Sequence, residues 1–300
     1  MKLKVGTRAS KLALEQTNIV LNALKQVKEL KDLIIEIVPI TTSGDKNLIE
    51  NPNTLETSLK GAFTKEIEEA MLKKEIDFAI HSMKDMPTVP TAGLVYASVP
   101  KREDPRDVLI SKNNLKINEL KANSIIGTTS LRRSNFIQAI RNDITIKPIR
   151  GNIQTRLDKL NTQDYDALVL AYAGIKRLKL ENIITEYFDI DTILPAPAQG
   201  TLCLQCRKDD EKIINILKLI EDKNSRIITD IERQFAYMFD SGCNSPIGCY
   251  GEIINNEVIL HGAFFKDKKI YRDKAMLSEV ENIENIAIKL YEKINNKMKN

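Results

Sequence analysis

The chain has no tryptophan, only two histidines and four cysteines, and no long hydrophobic run. Its longest apolar stretch is the nine residues at 167–175, about half of the ~18 that a membrane-spanning helix needs. Four cysteines in 300 residues indicate free thiols and not a disulfide framework. The formal net charge of +4 is too small to identify a nucleic-acid binder. These absences argue against membrane, disulfide-rich secreted and nucleic-acid-binding proteins.

The apolar content, 42% of 300 residues, is enough for two or three domains with a substantial buried core. Charged residues make up 29%, which does not fit a disordered chain. Residues 1–6 enter a strand-like stretch without the apolar core of a signal peptide, so we expect a cytoplasmic protein.

Strands and helices are predicted to alternate along the first two-thirds of the chain. Strands are predicted at 2–6, 33–40, 76–80, 124–127, 144–149 and 166–171, and helices after Ser10 and at 64–74, 130–141 and 153–160. This alternation indicates parallel sheets built from βαβ units. The last third differs: two helices lead into strands joined by an Asn255-Asn256 turn and then a closing amphipathic helix, which indicates a small α+β module.

Basic residues lie where predicted strands end. Residues 124–156 hold one acid, Asp143, and six basic residues: Arg132, Arg133, Arg141, Lys147, Arg150 and Arg156. Strand-to-helix junctions at 7–10, 127–133 and 149–152 combine arginines with helix N-termini, and both bind carboxylates and phosphates. Because ligands of open α/β sheets bind beyond the carboxyl ends of the strands, this pattern predicts a polyanion site. The alternative is a solvated basic face.

RNA is the rival polyanion. RNA-binding modules interleave basic residues with aromatic rings, yet Phe136 is the only aromatic residue among these arginines. Walker A and GxGxxG patterns are absent. A ligand with several carboxylates fits better.

The segment at 81–87 follows a predicted buried strand and carries Lys84 and Asp85. A carboxylate there suits general acid–base catalysis or stabilisation of a cation, although an exposed Lys–Asp pair in a turn is the alternative. His81 fits equally a buried structural histidine, and His261 in a predicted strand is interpreted as structural. The spacing of histidines and carboxylates predicts no metal site.

The cysteines divide into two kinds. Cys203 and Cys206 have CxxC spacing but lie in a predicted strand, where they point to opposite faces and do not favour zinc or redox chemistry. Cys249 is expected to be buried. Cys243 lies in a polar loop and is a candidate for covalent bonding, with a structural thiol as the alternative.

Nine segments in order resemble the porphobilinogen deaminase (hydroxymethylbilane synthase) family along nearly the whole chain. They are Thr7-Arg8-Ala9-Ser10, the segments at 60–66, 81–87, 102–107 and 127–133, Arg150-Gly151-Asn152 with Arg156, the segment at 173–178, Ala198-Gln199-Gly200 and the segment at 242–248.

This resemblance implies a transferase of tetrapyrrole (haem) biosynthesis. Such enzymes join four porphobilinogen molecules head to tail with release of ammonia, and water then releases hydroxymethylbilane. The resemblance also implies a dipyrromethane cofactor in thioether linkage to Cys243, which primes the growing chain. Each pyrrole carries two carboxylates, which agrees with the arginine-rich junctions.

Residue roles follow from the same resemblance. Asp85 would be the catalytic residue. The cofactor would be held by Cys243, Lys84, Asp85, Thr128, Ser130, Arg132, Arg133 and Arg156, and the substrate by Arg8, Ser10, Arg150, Arg156 and Arg177. Lys60 and Phe63 would belong to a lid. The chain departs from the family pattern at Ser241 and Ala198, where glycine is usual, and neither change removes a charged or covalent group.

The implied fold is α/β, with two periplasmic-binding-protein-like α/β domains around a cleft and a small C-terminal α+β domain. The domains would be 1–99 with 200–218, then 100–199, then 219–300 with the attachment cysteine. We expect a monomer that takes porphobilinogen as substrate and binds neither nucleic acid nor membrane. The main rival is a non-catalytic polycarboxylate-binding protein on the same scaffold, which would need neither Cys243 nor Asp85.

Overall fold

The structure is a computed structural model that describes residues 1–45, 63–239, 246–277 and 283–299. Contacts between Cα atoms divide the chain into two compact units. Unit 1 comprises Met1–Glu103 and Thr201–Arg226, and unit 2 comprises Asp104–Gly200 and Ile227–Asn300. The three-domain division predicted from the sequence stays a prediction.

Strands and helices alternate in parts of the chain, and the bounds of both follow. The strands are β1 (Lys2–Arg8), β2 (Ile34–Ile40), β3 (Phe78–Ser82), β4 (Leu94–Ser98), β5 (Asp107–Ser111), β6 (Ile125–Gly127), β7 (Thr145–Lys147), β8 (Ala167–Ala171), β9 (Glu186–Tyr187), β10 (Leu202–Arg207), β11 (Ile247–Ile254), β12 (Glu257–Lys266) and β13 (Lys269–Leu277). The helices are α1 (Lys11–Gln26), α2 (Lys65–Leu72), α3 (Leu131–Ile140), α4 (Ile153–Thr162), α5 (Tyr172–Arg177), α6 (Glu211–Lys218), α7 (Lys223–Met238) and α8 (Ile283–Lys299).

Each unit contains a five-stranded sheet, and the two sheets follow one plan. The order is β2-β1-β3-β10-β4 in unit 1 and β7-β6-β8-β5-β9 in unit 2. In both sheets the first three strands are parallel, and the fourth strand, β10 or β5, is antiparallel to its neighbours. The sequence-based expectation of parallel sheets is therefore wrong for β10 and β5, because these strands follow a crossing from the other unit and not a βαβ connection.

The remaining sheet, β11-β12-β13, is an antiparallel meander in unit 2. Asn255 and Asn256 form the predicted hairpin turn, with φ values of 50° and 65° that asparagine tolerates better than most residues. Helix α8 buries Ile286, Leu290 and Ile294 in the same apolar cluster as Leu260 of β12. The predicted α/β fold class is confirmed: each unit combines helices with a sheet of parallel and antiparallel strands, and the small C-terminal sheet lies in unit 2.

The core of unit 1 lies between its sheet and α1 and α6. Alternate residues of β1 and β3, such as Val5 and Phe78, meet Leu24 of α1 and Leu217 of α6. In the part of the chain that the structure describes, no helix is long and apolar enough to cross a membrane.

Candidate functional site

The three strand-to-helix junctions predicted from the sequence are present, and each is capped by a side chain. Ser10 Oγ accepts a hydrogen bond from the Ala13 N–H at 3.3 Å at the start of α1. Ser130 Oγ accepts from the Arg133 N–H at 3.4 Å at the start of α3, and Asn152 caps α4 in the same way. The caps satisfy orphan N–H groups of the first turn and set where each helix begins.

Arg132 and Arg133 leave the first turn of α3 and share one buried carboxylate, that of Asp107 at the start of β5. Nε and Nη2 of Arg133 donate to Asp107 Oδ1 at 3.1 and 2.8 Å. Nη1 of Arg132 lies 2.7 Å from Asp107 Oδ2 and donates to the Leu194 carbonyl at 2.7 Å. Gln199 Nε2 donates to Asp107 Oδ1 at 3.0 Å. We call these four residues, Asp107, Arg132, Arg133 and Gln199, the Asp107 cluster.

The Asp107 cluster is buried and carries one net positive charge. Asp107 is fully buried, and Arg132 and Arg133 are 3% and 7% exposed. Burial acts to raise the pKa of the Asp107 carboxyl, but the two guanidiniums hold it well below its usual range. Burial and the neighbouring Arg133 lower the pKa of Arg132. An excess cation is costly in such surroundings unless an anion compensates it, so the donor set fits a carboxylate-bearing cofactor.

Sequence reasoning missed Asp107 and gave Gln199 no role of its own. Both lie within segments that had been noted only for their resemblance to a family. The available signal was an acid, Asp107, placed at the start of a strand-like apolar run, where a buried charge needs a partner.

A second arginine–carboxylate contact lies at the end of β1 in unit 1. Nε of Arg8 donates to Asp45 Oδ2 at 3.3 Å, and Nη2 donates to Asp45 Oδ1. Thr42 Oγ1 donates to Asp45 Oδ2 at 2.7 Å. The guanidinium carbon of Arg8 lies 4.2 Å from the ring centroid of Phe63. Sequence reasoning gave Asp45 no role.

The predicted catalytic segment follows β3 as a 3₁₀ turn, Met83–Asp85. The Met83 N–H donates to the Thr201 carbonyl at 3.0 Å, and Gln16 Nε2 of α1 donates to Ser82 Oγ at 2.9 Å. Asp85 is exposed and Lys84 is partly exposed. The turn is thus tied to α1 and to the chain before β10, with its carboxylate accessible to a ligand.

His81, which precedes this turn, is buried and neutral. Burial, assisted by the charge of Arg8 and opposed by the Gln205 side chain, which favours the protonated imidazole, lowers its pKa from 6.5 to about 4. Within the described residues, its Nε2 atom has no hydrogen-bond partner. Gln205 Nε2 donates to Glu68 Oε1 at 2.8 Å, and Thr91 donates to Glu68 Oε2 at 2.8 Å. Because the histidine is uncharged near neutral pH, the structure favours the structural interpretation of His81.

The other predicted ligand-binding residues lie in unit 2, partly exposed except for the buried Thr128. Arg156 Nε donates to the Gly151 carbonyl at 2.8 Å, and Arg177 Nη2 donates to the Gly200 carbonyl at 2.6 Å. Thr128 Oγ1 accepts from the Ser130 N–H at 3.1 Å. Of the six basic residues at 124–156, Arg141 pairs with Asp143 at 2.7 Å and Lys147 lies 3.9 Å from Asp164, so these two have surface partners.

The described cysteines, Cys203, Cys206 and Cys249, are buried. Burial raises the pKa of the Cys206 thiol to about 12, which keeps it protonated and unreactive. No group of three or more His, Cys, Asp or Glu side chains suited to a metal ion exists among the described residues.

Two predicted site residues, Cys243 and Lys60, lie outside the described residues, as does Ser241. Ala198 lies within them, with φ of 60°, in the left-handed region that favours glycine. Its N–H donates to Glu232 Oε2 at 2.6 Å, which holds the conformation in place.

The chain is similar to known proteins along most of its length. A solved YaeC-family lipoprotein from Enterococcus faecalis V583 is similar over 75% of this chain and 93% of its own, with 17% identity and a TM-score of 0.45. The porphobilinogen deaminase of Fusobacterium nucleatum is 45% identical over 98% of this chain and 97% of the relative. That of Bacillus subtilis is 44% identical over 85% of this chain and 80% of the relative. Residues 3–215 match the family model "Porphobilinogen deaminase, dipyromethane cofactor binding domain", and residues 228–296 match "Porphobilinogen deaminase, C-terminal domain". The chain belongs to the porphobilinogen deaminase family.

Proposed function

We propose that this chain is a transferase that condenses four porphobilinogen molecules head to tail and releases hydroxymethylbilane for tetrapyrrole (haem) biosynthesis. The observation that carries this proposal is the Asp107 cluster, a buried site where, among the described residues, two arginines share one carboxylate, inside the region matched by the cofactor-binding family model. Substrate, cofactor and product all carry carboxylates, and buried arginines bind such groups with paired hydrogen bonds.

The residues of this site fit a dipyrromethane cofactor. Arg132 and Arg133 supply the positive charge, and Thr128 and Ser130 place hydroxyl groups at the same junction. The thioether bond needs an accessible thiol, whereas Cys203, Cys206 and Cys249 are buried. Cys243 is the fourth cysteine of the chain, which supports it as the attachment point. Bound there, the group would supply the pyrrole to which the first substrate unit is joined.

Asp85 is the residue we assign to proton transfer and charge stabilisation. Loss of ammonia breaks the C–N bond of the aminomethyl arm of porphobilinogen and leaves a cationic pyrrole. An exposed carboxylate beside the pyrrole N–H can stabilise that cation and then hold the proton that the attacked ring carbon loses. Lys84, on the same turn, would bind a carboxylate of the cofactor.

Substrate carboxylates are assigned to Arg8, Ser10, Arg150, Arg156 and Arg177. The backbone contacts of Arg156 and Arg177 orient two of these guanidiniums by hydrogen bonds to carbonyl oxygens. An arginine oriented in this way loses less side-chain entropy when it binds a carboxylate. The lid role of Phe63, the monomeric state, the cytoplasmic location and the absence of nucleic-acid binding stay predictions.

The decisive experiment is the intact mass of the denatured protein from cells that make porphobilinogen. We expect the wild type to exceed its polypeptide mass by two linked pyrrole units and Cys243→Ser to lack this excess. Cys249→Ala, a buried cysteine of β11, is the matched control and should keep it. Arg133→Gln should give mainly the polypeptide mass, because it removes a cofactor-binding charge.

The same samples separate the enzyme from a binding protein. The loaded wild type should release ammonia from porphobilinogen, and Asp85→Asn should keep the mass excess and lose the reaction. A wild type that stays at polypeptide mass after incubation with porphobilinogen, and releases no ammonia, would instead be a polycarboxylate-binding protein.

A further inference from the structure

The Arg8 guanidinium is contacted by two side chains in different ways. Asp45 takes one edge, through Nε at 3.3 Å and through Nη2. Phe63 covers a face, with its ring centroid 4.2 Å from the guanidinium carbon. The Asp45 contact occupies the guanidinium N–H groups that a ligand carboxylate would need, whereas the Phe63 contact occupies none of them.

Hydrogen bonds keep the Asp45 carboxyl ionised and fix its position. Thr42 Oγ1 donates to Asp45 Oδ2 at 2.7 Å, and the Thr42 N–H approaches the same oxygen at 3.4 Å. Burial acts to raise the pKa of the Asp45 carboxyl, but the bonds from Arg8 and Thr42 hold it below its usual range. The pair therefore remains ionic throughout the neutral pH range.

The Arg8–Asp45 pair nevertheless remains in reach of solvent. The side chains of Arg8 and Asp45 are 28% and 19% exposed, in contrast to the fully buried Asp107. An ion pair at this exposure gains little net free energy, so another carboxylate can replace Asp45 at small cost. The Phe63 contact does not depend on which anion occupies the guanidinium edge.

We propose that Asp45 is a specificity-determining residue that occupies, on Arg8, the place of a substrate carboxylate, and that the substrate binds by displacing it. This inference rests on the proposed function, in which Arg8 binds a carboxylate of porphobilinogen. The exchange swaps one carboxylate for another, so no proton moves and no charge is created. A ligand without a carboxylate leaves the Arg8–Asp45 ion pair intact, whereas a pyrrole with an acetate and a propionate replaces Asp45 on Arg8. Phe63 retains the guanidinium during the exchange.

The test compares two variants, each of which removes one contact of Arg8, and we expect them to change KM in opposite directions. Asp45→Asn keeps the shape and removes the competing charge, so we expect KM for porphobilinogen to fall about threefold to fivefold, the upper part of the range for a partly exposed ion pair. Phe63→Ala removes the support of the guanidinium, so KM should rise. Glu36→Gln, which breaks the exposed 2.8 Å pair with Lys2 in the same sheet, is the control and should leave KM unchanged.

Binding is also measured without turnover. The probe is a pyrrole with the acetate and propionate of porphobilinogen but without the aminomethyl arm, titrated calorimetrically into the loaded enzyme. Its dissociation constant should fall in Asp45→Asn by the same factor as KM and should not change in Glu36→Gln.

Two outcomes would overturn the inference. A rise of KM in Asp45→Asn that matches the rise in Phe63→Ala would make Asp45 a positioning residue for Arg8. Unchanged KM and an unchanged dissociation constant would mean that the pair does not lie on the binding path. Failure of the proposed function gives a different result, because a wild type that neither releases ammonia nor binds the probe would fail before any variant is compared.

Discussion

Two arginine–carboxylate sites, one in each unit, use the same chemistry in different surroundings. In the Asp107 cluster of unit 2, two arginines share one carboxylate that water does not reach. In unit 1, Arg8 and Asp45 form a single pair that water reaches, with an aromatic ring on the guanidinium. Counted over the described residues, the first site has one more positive than negative charge, whereas the second is balanced.

This difference separates a permanent site from an exchangeable one. A buried cluster with an unmatched cation suits a ligand that binds once and stays, such as a covalently attached cofactor. A balanced and partly hydrated pair suits a ligand that comes and goes, because each exchange leaves the charge unchanged. The burial of the two carboxylates thus agrees with the roles proposed for cofactor and substrate.

The largest effect is expected for Asp107→Asn. It leaves two buried guanidiniums without a charged partner, so we expect a loss of about 3–5 kcal/mol in the free energy of unfolding, measured with urea. The matched control is Asp143→Asn, which breaks the partly exposed pair with Arg141 in the same unit and should have no measurable effect. Adding Arg133→Met to Asp107→Asn should recover part of the loss. Equal stabilities for Asp107→Asn and Asp143→Asn would contradict the account of the cluster.

The pH dependence of stability distinguishes the buried groups His81 and Asp107, because they affect the free energy of unfolding in separate pH ranges. The pKa of His81 is lowered to about 4, so below pH 6.5 the unfolded chain takes up a proton that the folded chain does not. Stability should therefore fall by about 2 kcal/mol between pH 7 and pH 5. Asp107, whose pKa lies below its usual range, should contribute a constant amount above about pH 4 and lose it only below.

Urea unfolding at pH 7 and pH 5 checks this assignment. His81→Gln should remove the loss between the two pH values, whereas Asp107→Asn should retain it at lower overall stability. If His81→Gln lost as much free energy of unfolding between pH 7 and pH 5 as the wild type, another group would titrate in that range.

The smallest expected effect concerns Thr42, which holds Asp45 by a 2.7 Å hydrogen bond. Thr42→Val removes that bond and the 3.3 Å bond that the hydroxyl accepts from the Asp45 N–H, which should loosen Asp45, the proposed competitor of the substrate on Arg8. We expect KM for porphobilinogen to fall by about twofold, in the direction of Asp45→Asn and by less, because the ion pair between Asp45 and Arg8 remains. Steady-state kinetics measure it, and a raised KM would contradict the displacement model.

Local features were predictable from the sequence, whereas features that depend on distant partners were not. The cap at Ser10, the helix after Ser130 and the Asn255-Asn256 turn depend on residues a few positions apart, and the structure contains all three. The antiparallel strands β5 and β10 depend on partners elsewhere in the chain, and periodicity carries no such information.

The candidate site also combines features that were predictable from the local sequence with features that depend on distant residues. The arginines were identified from their position at the ends of strands, but their exposure was not. Arg133 and Asp107 are 26 positions apart, and only the packed sheet brings them together. A basic residue at a helix start is therefore compatible with either a solvated face or a buried ion cluster, and packing decides between them.

The position of β10 has a consequence for the order in which the chain folds. Strand β4 pairs only with β10 in its sheet, and the 104–200 part of unit 2 lies between them in the sequence. During synthesis, β4 therefore emerges with no strand to pair with, whereas β5 to β9 form a sheet from neighbouring residues alone. The α/β part of unit 2 can close its sheet first, although residues 1–103 of unit 1 leave the ribosome before it.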